Sequence, residues 1–135
     1  MISSLTQITL VVKDQETALR WYTEVLGLEK RTDRQMGKER WLSVGVRGQA
    51  QPEIILQQPS EETYGPETYR KKMSQIGQNA TWIFGVDDCA NFVEFLRQKG
   101  TTIVTEPEQK PWGTSALIAD LYGNIFNLVQ MKPRG

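Results

Sequence analysis

The stretch that decides the fold is PWGTSALIADLYGNIFNLVQ, residues 111–130. Apolar residues alternate with small or polar ones on both sides of a central Asp-Leu-Tyr-Gly-Asn segment, and this alternation is typical of strands. Glycine and asparagine favour a tight turn between them. The pattern predicts a hairpin whose second strand places Asn127 on one face and Phe126 and Leu128 on the other. Asn127 is notable because a polar amide within an apolar strand needs partners if it is buried.

The hairpin has a weaker copy earlier in the chain. Residues 38–58, KERWLSVGVRGQAQPEIILQQ, align without gaps with residues 110–130, and the paired numbers differ by 72 throughout. The alignment matches Ser43 with Ser115, Leu56 with Leu128 and Gln58 with Gln130. An internal repeat of this kind indicates that the chain is built from two similar modules.

The first strand and helix are repeated as well. Residues 81–88, TWIFGVDD, match residues 7–14, QITLVVKD, with numbers that differ by 74. Each copy ends in an aspartate, Asp14 or Asp88, a residue that favours a helix N-terminus. The first helix is predicted to run to about Val25.

These patterns predict an α+β fold with two tandem β-α-β-β-β modules that form a curved mixed sheet of eight strands. Helices would cover one face and the other would curl into a cleft. The chain of 135 residues is the length of one domain. The expected parts are module 1 at 1–58, a connector at 59–79 and module 2 at 80–131, with a short helix at 68–76, a strand at 101–104 and a loop at 106–110. The connector is not expected to contribute to a site.

The composition excludes several classes of function. Sixteen basic and sixteen acidic residues balance, so neither nucleic acid nor an anionic membrane is an expected partner. No apolar run is long enough to span a bilayer, and a single cysteine excludes an internal disulfide, which favours a cytoplasmic protein. There is no histidine, the usual general base near neutral pH and a common transition-metal ligand.

Two motifs give the chain a family resemblance. KDQETALRWYTEVLGLE follows the first strand, and DLYGNIFNLVQ closes the second module. Together they resemble the vicinal oxygen chelate superfamily, which includes glyoxalase I, extradiol dioxygenases, fosfomycin-resistance transferases and bleomycin-resistance proteins. The resemblance covers nearly the whole chain apart from the connector, and it implies the two-module fold.

The resemblance also implies where a metal ion would be held. The metal-dependent members place one histidine or glutamate on each of four strands, at positions that correspond here to Gln7, Ile55, Thr81 and Asn127. None of these is a strong metal ligand. Glu53 lies two residues before Ile55 and could supply one carboxylate. No metal and no cofactor are therefore expected.

The residues expected to contact a small ligand lie in the cleft and at its mouth. They are Gln7, Thr9, Trp41, Ile55, Gln57, Thr81, Trp112, Tyr122 and Asn127. Trp112 is the preferred stacking partner for a planar molecule, while Trp82 is expected on the helix-covered side. Alternatively, Gln7, Thr81 and Asn127 hydrogen-bond one another. Cys89 begins a helix, which lowers a thiol pKa, but it is expected to be structural because no histidine can activate it.

Two functions remain open from the sequence. The first is a metal-independent module that binds a small molecule of an aromatic or antibiotic-like kind, as the bleomycin-resistance branch does. The second is an enzyme of the lactoylglutathione-lyase or dioxygenase type that uses an atypical metal or none; no catalytic residue can be assigned. An interaction protein with a vestigial cleft is a third reading. A homodimer is expected, because pairing would protect exposed sheet edges.

Overall fold

The computed structural model describes residues 1–133, which form eight strands in two four-stranded sheets. The strands are β1 (Gln7–Val11), β2 (Glu29–Met36), β3 (Glu39–Gly45), β4 (Glu53–Gln57), β5 (Trp82–Gly85), β6 (Thr102–Lys110), β7 (Gly113–Ala119) and β8 (Ile125–Met131). The helices are α1 (Gln15–Arg20), which continues as a π-helical turn (Trp21–Val25), α2 (Glu61–Met73) and α3 (Cys89–Gln98). The α+β class and the two β-α-β-β-β modules are confirmed.

The two sheets have the same topology. The strand order is β1-β4-β3-β2 in the first sheet and β5-β8-β7-β6 in the second. In each, the first and last strands of the module pair in parallel, and the other pairs are antiparallel. The chain divides into compact units at Met1–Ile76 and Gly77–Gly135, so α2 belongs with the first sheet. In the part that the structure describes, no helix is both long and apolar enough to cross a membrane.

The apolar core follows the predicted alternation. The core of each module combines even-numbered apolar residues of its strands with residues of its own helix. In module 1 the buried set is Leu10, Leu42, Val44, Ile54 and Leu56, with Ala18 and Tyr22 from the helix side. In module 2 it is Ala116, Ile118, Phe126 and Leu128, with Val93 and Leu96 from α3. The intervening residues therefore face away from the helix, and that face is called the helix-free face below.

Both helices begin as the repeat predicts. The Asp14 carboxylate accepts a hydrogen bond from the backbone N–H of Thr17 at 2.8 Å, and that of Asp88 accepts one from Asn91 at 3.1 Å. These bonds satisfy N–H groups that have no partner inside the helix. Asp14 and Asp88 are therefore helix caps.

A glutamine at the carboxyl end of the last strand of each module, or directly after it, holds the start of the module's helix. The Oε1 atom of Gln58 accepts a hydrogen bond from the Gln15 N–H at 2.9 Å, and that of Gln130 accepts one from the Cys89 N–H at 2.8 Å. Gln58 and Gln130 are the residues that the repeat matched. The alignment of the last strands, with a difference of 72, is therefore confirmed by a shared contact.

The same alignment is wrong by two residues in the third strand of each module. Ser43 lies opposite Ile55, and Leu117 lies opposite Asn127. Positions 43 and 117 differ by 74, whereas 55 and 127 differ by 72. Ser43 therefore corresponds to Leu117 and not to Ser115. The physical reason is that seven residues join β3 to β4 (46–52), whereas five join β7 to β8 (120–124).

The predicted loop at 106–110 is instead part of a long strand. β6 runs from Thr102 to Lys110, with register shifts between Ile103 and Thr105 and between Thr105 and Glu108. The sequence contains Pro107, which cannot donate a ladder hydrogen bond, but β6 lies at the edge of its sheet, where this is tolerated. At the bulge, the Thr105 hydroxyl oxygen accepts a hydrogen bond from the Leu117 N–H at 3.0 Å.

The connector helix is longer than predicted and starts earlier. α2 begins after Ser60, whose hydroxyl oxygen caps the Thr63 N–H at 3.3 Å. It is interrupted at Gly65, where φ is 80° and ψ is 163°. Only glycine readily adopts this conformation, and Pro66 then starts the second helical part. Gly65 and Pro66 therefore produce a kink between two helical segments.

Candidate functional site

The helix-free face of module 1 carries five of the predicted contact residues. Gln7, Thr9 and Trp41 are exposed, Gln57 is half-buried and Ile55 is only 6% exposed. Strand alternation explains this placement, because β1, β3 and β4 present their odd-numbered residues to the same side. The register sets Thr9 and Ser43 on either side of Ile55.

Glu53 is already engaged on this face. Its Oε1 atom accepts a hydrogen bond from the Ser43 hydroxyl at 2.5 Å and a longer one from the Thr32 hydroxyl at 3.4 Å. The Ser43 oxygen in turn accepts from the Thr32 N–H at 3.0 Å. This network joins β2, β3 and β4. The Glu53 carboxylate, the one possible metal ligand that the sequence suggested, therefore stabilises the sheet.

A connector residue, Tyr64, also reaches the site, contrary to expectation. The Gln57 amide donates a hydrogen bond from Nε2 to the Tyr64 hydroxyl oxygen at 2.8 Å. The ammonium nitrogen of Lys72 lies 4.8 Å from the centre of the Tyr64 ring, within range of a cation–π contact. The polar, glycine-containing composition of the connector gave no periodic signal for this contact.

The helix-free face of module 2 centres on Asn127. It is half-buried and lies between Ile83 on β5 and Leu117 on β7. Ile83 is 69% exposed, an unusual amount for a large apolar residue in a strand. Thr81 is also exposed, and within residues 1–133 neither Thr81 nor Asn127 makes a side-chain hydrogen bond. The amide of Asn127 is therefore open to an added molecule.

Trp112 and Tyr122 lie at opposite ends of the β7–β8 pair. Trp112 is in the turn before β7 and is 42% exposed. Tyr122 is in the turn after β7, a seven-residue strand. At about 3.3 Å per residue, the strand separates them by roughly 20 Å. One small molecule cannot stack on both rings, and Trp112 lies at the same end of its sheet as Trp41 does in module 1.

The turn that contains Tyr122 is a structural unit. Asp120 is buried, and its Oδ1 atom accepts hydrogen bonds from the Tyr122 and Asn124 N–H groups, both at 2.8 Å. The buried Asn124 side-chain oxygen accepts from the Asn79 N–H at 3.0 Å. Gly77 packs so closely that an added Cβ would lie 2.4 Å from the Tyr122 carbonyl oxygen. The Asp-Leu-Tyr-Gly-Asn motif thus holds the turn between β7 and β8 and also contacts Gly77 and Asn79, which precede β5.

Cys89 is fully buried, and burial is the main reason that its thiol pKa is raised, with a further contribution from the negative charge of Asp88. The expected lowering by the helix N-terminus is therefore wrong in direction, because desolvation disfavours the thiolate. Its sulfur lies 3.8 Å from the Leu128 carbonyl oxygen. The prediction that Cys89 is structural is consistent with this setting.

The residues present do not fit a divalent metal ion. The four positions implied by the family resemblance hold two amides, a hydroxyl and the aliphatic Ile55. Among residues 1–133, no three cysteine, aspartate or glutamate side chains come together in a possible metal site. Neutral oxygens without carboxylates bind such ions weakly.

Comparison with known proteins identifies the family. The model of the glyoxalase/bleomycin resistance protein/dioxygenase superfamily matches residues 4–128. The chain is 37% identical over 122 residues to the uncharacterised protein YurT of Bacillus subtilis (strain 168), with 90% of this chain and 94% of YurT covered. With this match over most of its length, the chain belongs to the glyoxalase/bleomycin resistance protein/dioxygenase superfamily.

Solved structures give the same fold. The crystal structure of UcmS2 is 35% identical, with a TM-score of 0.84, and the match covers 96% of this chain and 98% of that one. TnmS3, an antibiotic binding protein from Streptomyces sp. CB03234, is 26% identical, with a TM-score of 0.77 and coverage of 97% and 98%. Relatives of this fold therefore include a protein described as binding an antibiotic.

Proposed function

We propose that this protein binds a small organic molecule, of the aromatic antibiotic class, through the helix-free faces of its sheets and without a metal ion. The observation that carries the proposal is the similarity to the antibiotic binding protein TnmS3 over 97% of this chain. The chemistry of the faces supports it, because strong metal ligands are absent from the four implied positions.

The exposed side chains suit a planar, weakly polar ligand. Trp41 and Trp112 are 38% and 42% exposed, and they offer flat aromatic surfaces at equivalent ends of the two sheets. Asn127 adds an amide beside the exposed Ile83. Small-molecule sites combine apolar and aromatic surface with a few polar groups that set orientation. In module 1 we assign stacking to Trp41 and orientation to Gln57, and in module 2 we assign stacking to Trp112 and orientation to Asn127.

The other expected contact residues have smaller parts in this proposal. Gln7, Thr9 and Thr81 are exposed polar residues that supply secondary hydrogen bonds. Ile55 offers little surface because it is only 6% exposed. Tyr122 stays in its structural turn and is left out of the primary contacts.

The experiment is a thermal-shift and calorimetric screen with doxorubicin, tetracycline, novobiocin and bleomycin, run with and without EDTA. We expect binding that EDTA does not change. Replacing a tryptophan that stacks on the ligand, by Trp112→Ala or Trp41→Ala, should weaken binding about threefold to tenfold. Phe95→Ala is the matched control, because Phe95 is also 42% exposed but lies on α3.

Two results would contradict the proposal. One is binding that EDTA abolishes and that an added divalent metal restores. The other is a bound compound whose affinity is the same in Trp41→Ala, in Trp112→Ala and in the unaltered protein. Elemental analysis of protein purified without chelators gives an independent check for a stoichiometric metal.

A further inference from the structure

We propose that Tyr64 of the connector is a ligand-contacting residue that selects aromatic compounds carrying a hydroxyl substituent. The proposal deepens the proposed function and rests on it. It assigns a role to a segment that the fold does not need as part of either β-α-β-β-β module.

The first observation is the pairing of Tyr64 with Gln57. The Tyr64 hydroxyl oxygen accepts a hydrogen bond from Gln57 Nε2 at 2.8 Å, so its own hydrogen remains available to a further acceptor. The Gln57 Oε1 atom makes no hydrogen bond within residues 1–133. The pair therefore presents one donor and one acceptor side by side at the carboxyl end of β4, which is the complement of a hydroxyl group.

The second observation is how the first turn of α2 is held. Ser60 caps it, and the Glu62 carboxylate forms an ion pair with Lys38 in the turn between β2 and β3. Gln57 holds the same helical turn from β4 through Tyr64. Because β3 lies between β4 and β2 in the sheet, this turn crosses the end of β3, the strand that carries Trp41. Tyr64 is thus positioned near the exposed tryptophan that we assign to stacking.

The third observation is that Lys72, which follows the kink in α2, contacts the Tyr64 ring. Lys72 lies in the second part of α2, and its ammonium group sits 4.8 Å from the ring centre. The backbone of Gly65 breaks the helix directly after Tyr64, which lets the two parts point differently. The half-buried Tyr64 is therefore held by the Lys72 ammonium group and by the hydrogen bond from Gln57, directly before the kink at Gly65.

These contacts define the class of ligand. A planar ring stacked on Trp41 would present its edge to Gln57 and Tyr64. A ring hydroxyl at that edge can donate to Gln57 Oε1 and accept from the Tyr64 hydroxyl, whereas an unsubstituted ring edge leaves both protein groups without a partner. The penalty for that loss discriminates against the unsubstituted compound.

The test compares β-naphthol with naphthalene, both fluorescent, by titration of the unaltered protein and of two variants. We expect the unaltered protein to prefer β-naphthol by about tenfold, the effect of one or two well-formed hydrogen bonds. Tyr64→Phe should reduce this preference to about twofold or less while naphthalene binding changes little. Tyr69→Phe should keep the preference, because Tyr69 lies in the same helix, is also half-buried and makes no hydrogen bond through its side chain in the described chain.

Each alternative result is decisive. If the unaltered protein binds neither compound, both this proposal and the proposed function fail for simple aromatic ligands. If it binds both, but Tyr64→Phe leaves the preference for β-naphthol intact, the role of Tyr64 is overturned and the proposed function stands. Equal melting temperatures of the two tyrosine variants would show that any change in preference is not a loss of folding.

Discussion

Amide side chains on the last strand of each module, or directly after it, differ in whether they hold the helix. Gln130 points to the helix side and holds the Cys89 N–H, and Gln58 does the same for Gln15. Asn127, three residues before Gln130, points to the other face and makes no side-chain hydrogen bond within residues 1–133. The side of the strand on which a residue lies therefore separates structural amides from those available for binding.

Gln130→Ala should destabilise the fold. It leaves the N–H of Cys89 without its partner at a buried helix start, a loss of about 1–3 kcal/mol. Urea unfolding measures the change, with Gln109→Ala as the control because Gln109 is an exposed residue of the same sheet. Equal unfolding midpoints for the two variants would contradict the proposed stabilising role of Gln130.

Trp82→Ala should also reduce stability, and it should not act through ligand contacts. The Trp82 ring stacks on the buried Phe126, with 5.5 Å between ring centres and planes 7° apart. This confirms that Trp82 lies on the helix side. Because Trp82 is half-buried, we expect a loss of about 2 kcal/mol, below the range for fully buried aromatic residues. Thermal unfolding without ligand measures it, and an unchanged midpoint would contradict this assignment.

At the scale of elements, Arg40 joins three parts of module 1. Its guanidinium bonds both carboxylate oxygens of Asp33 on β2 at 2.8 Å and pairs with Glu16 on α1 at 2.6 Å. Its backbone carbonyl accepts a hydrogen bond from the Gln15 side chain at 2.9 Å. These bonds fix the helix against the β2–β3 hairpin at the end where Trp41 is found.

The Arg40 contact makes part of the stability depend on pH. The hydrogen bonds from Arg40 hold the pKa of Asp33 at about 2, below its usual 3.8. A carboxyl whose folded pKa is lowered stabilises the protein above its unfolded pKa, and this contribution is lost as the pH falls from 3.8 towards 2. Asp33→Asn should therefore cost less than about 1 kcal/mol at neutral pH, because solvent screens the pair.

Urea unfolding at neutral pH and near the folded pKa of Asp33 measures this difference. The gap between Asp33→Asn and the unaltered protein should shrink at the lower pH. Asp87→Asn is the control, since Asp87 is exposed and makes no ion pair within residues 1–133. A gap of constant size would mean that the ionised form of Asp33 contributes nothing to folding.

The elements that the sequence predicted well are those whose burial alternates. β7 and β8 lie within the hairpin predicted at residues 111–130, apart from Met131, because each has one face under a helix. The extent of β6 and the start of α2 could not be predicted in this way. They depend on a bulge, a cap and a glycine kink, and such contacts leave no periodic pattern. The hydrogen bond between Gln57 and Tyr64 could not be predicted from the sequence for the same reason.

For the whole molecule, the homodimer remains a prediction. Each four-stranded sheet ends in two edge strands, β1 and β2 in the first and β5 and β6 in the second. Edge strands with free backbone groups favour pairing with another chain. Light scattering coupled to size exclusion at micromolar concentration should give about twice the mass of the 15.4 kDa chain. A monomer mass that persists at ten times that concentration would contradict the prediction.

The shorter turn between β7 and β8 has a consequence for how duplicated modules can diverge. It is two residues shorter than the turn between β3 and β4. The strand register is nevertheless the same in both hairpins, since Ser43 lies opposite Ile55 and the equivalent Leu117 lies opposite Asn127. The turn absorbs the whole difference, and neither strand moves by the single residue that would exchange its core and surface faces. Turns of this kind are therefore the places where duplicated modules can change length while their cores stay the same.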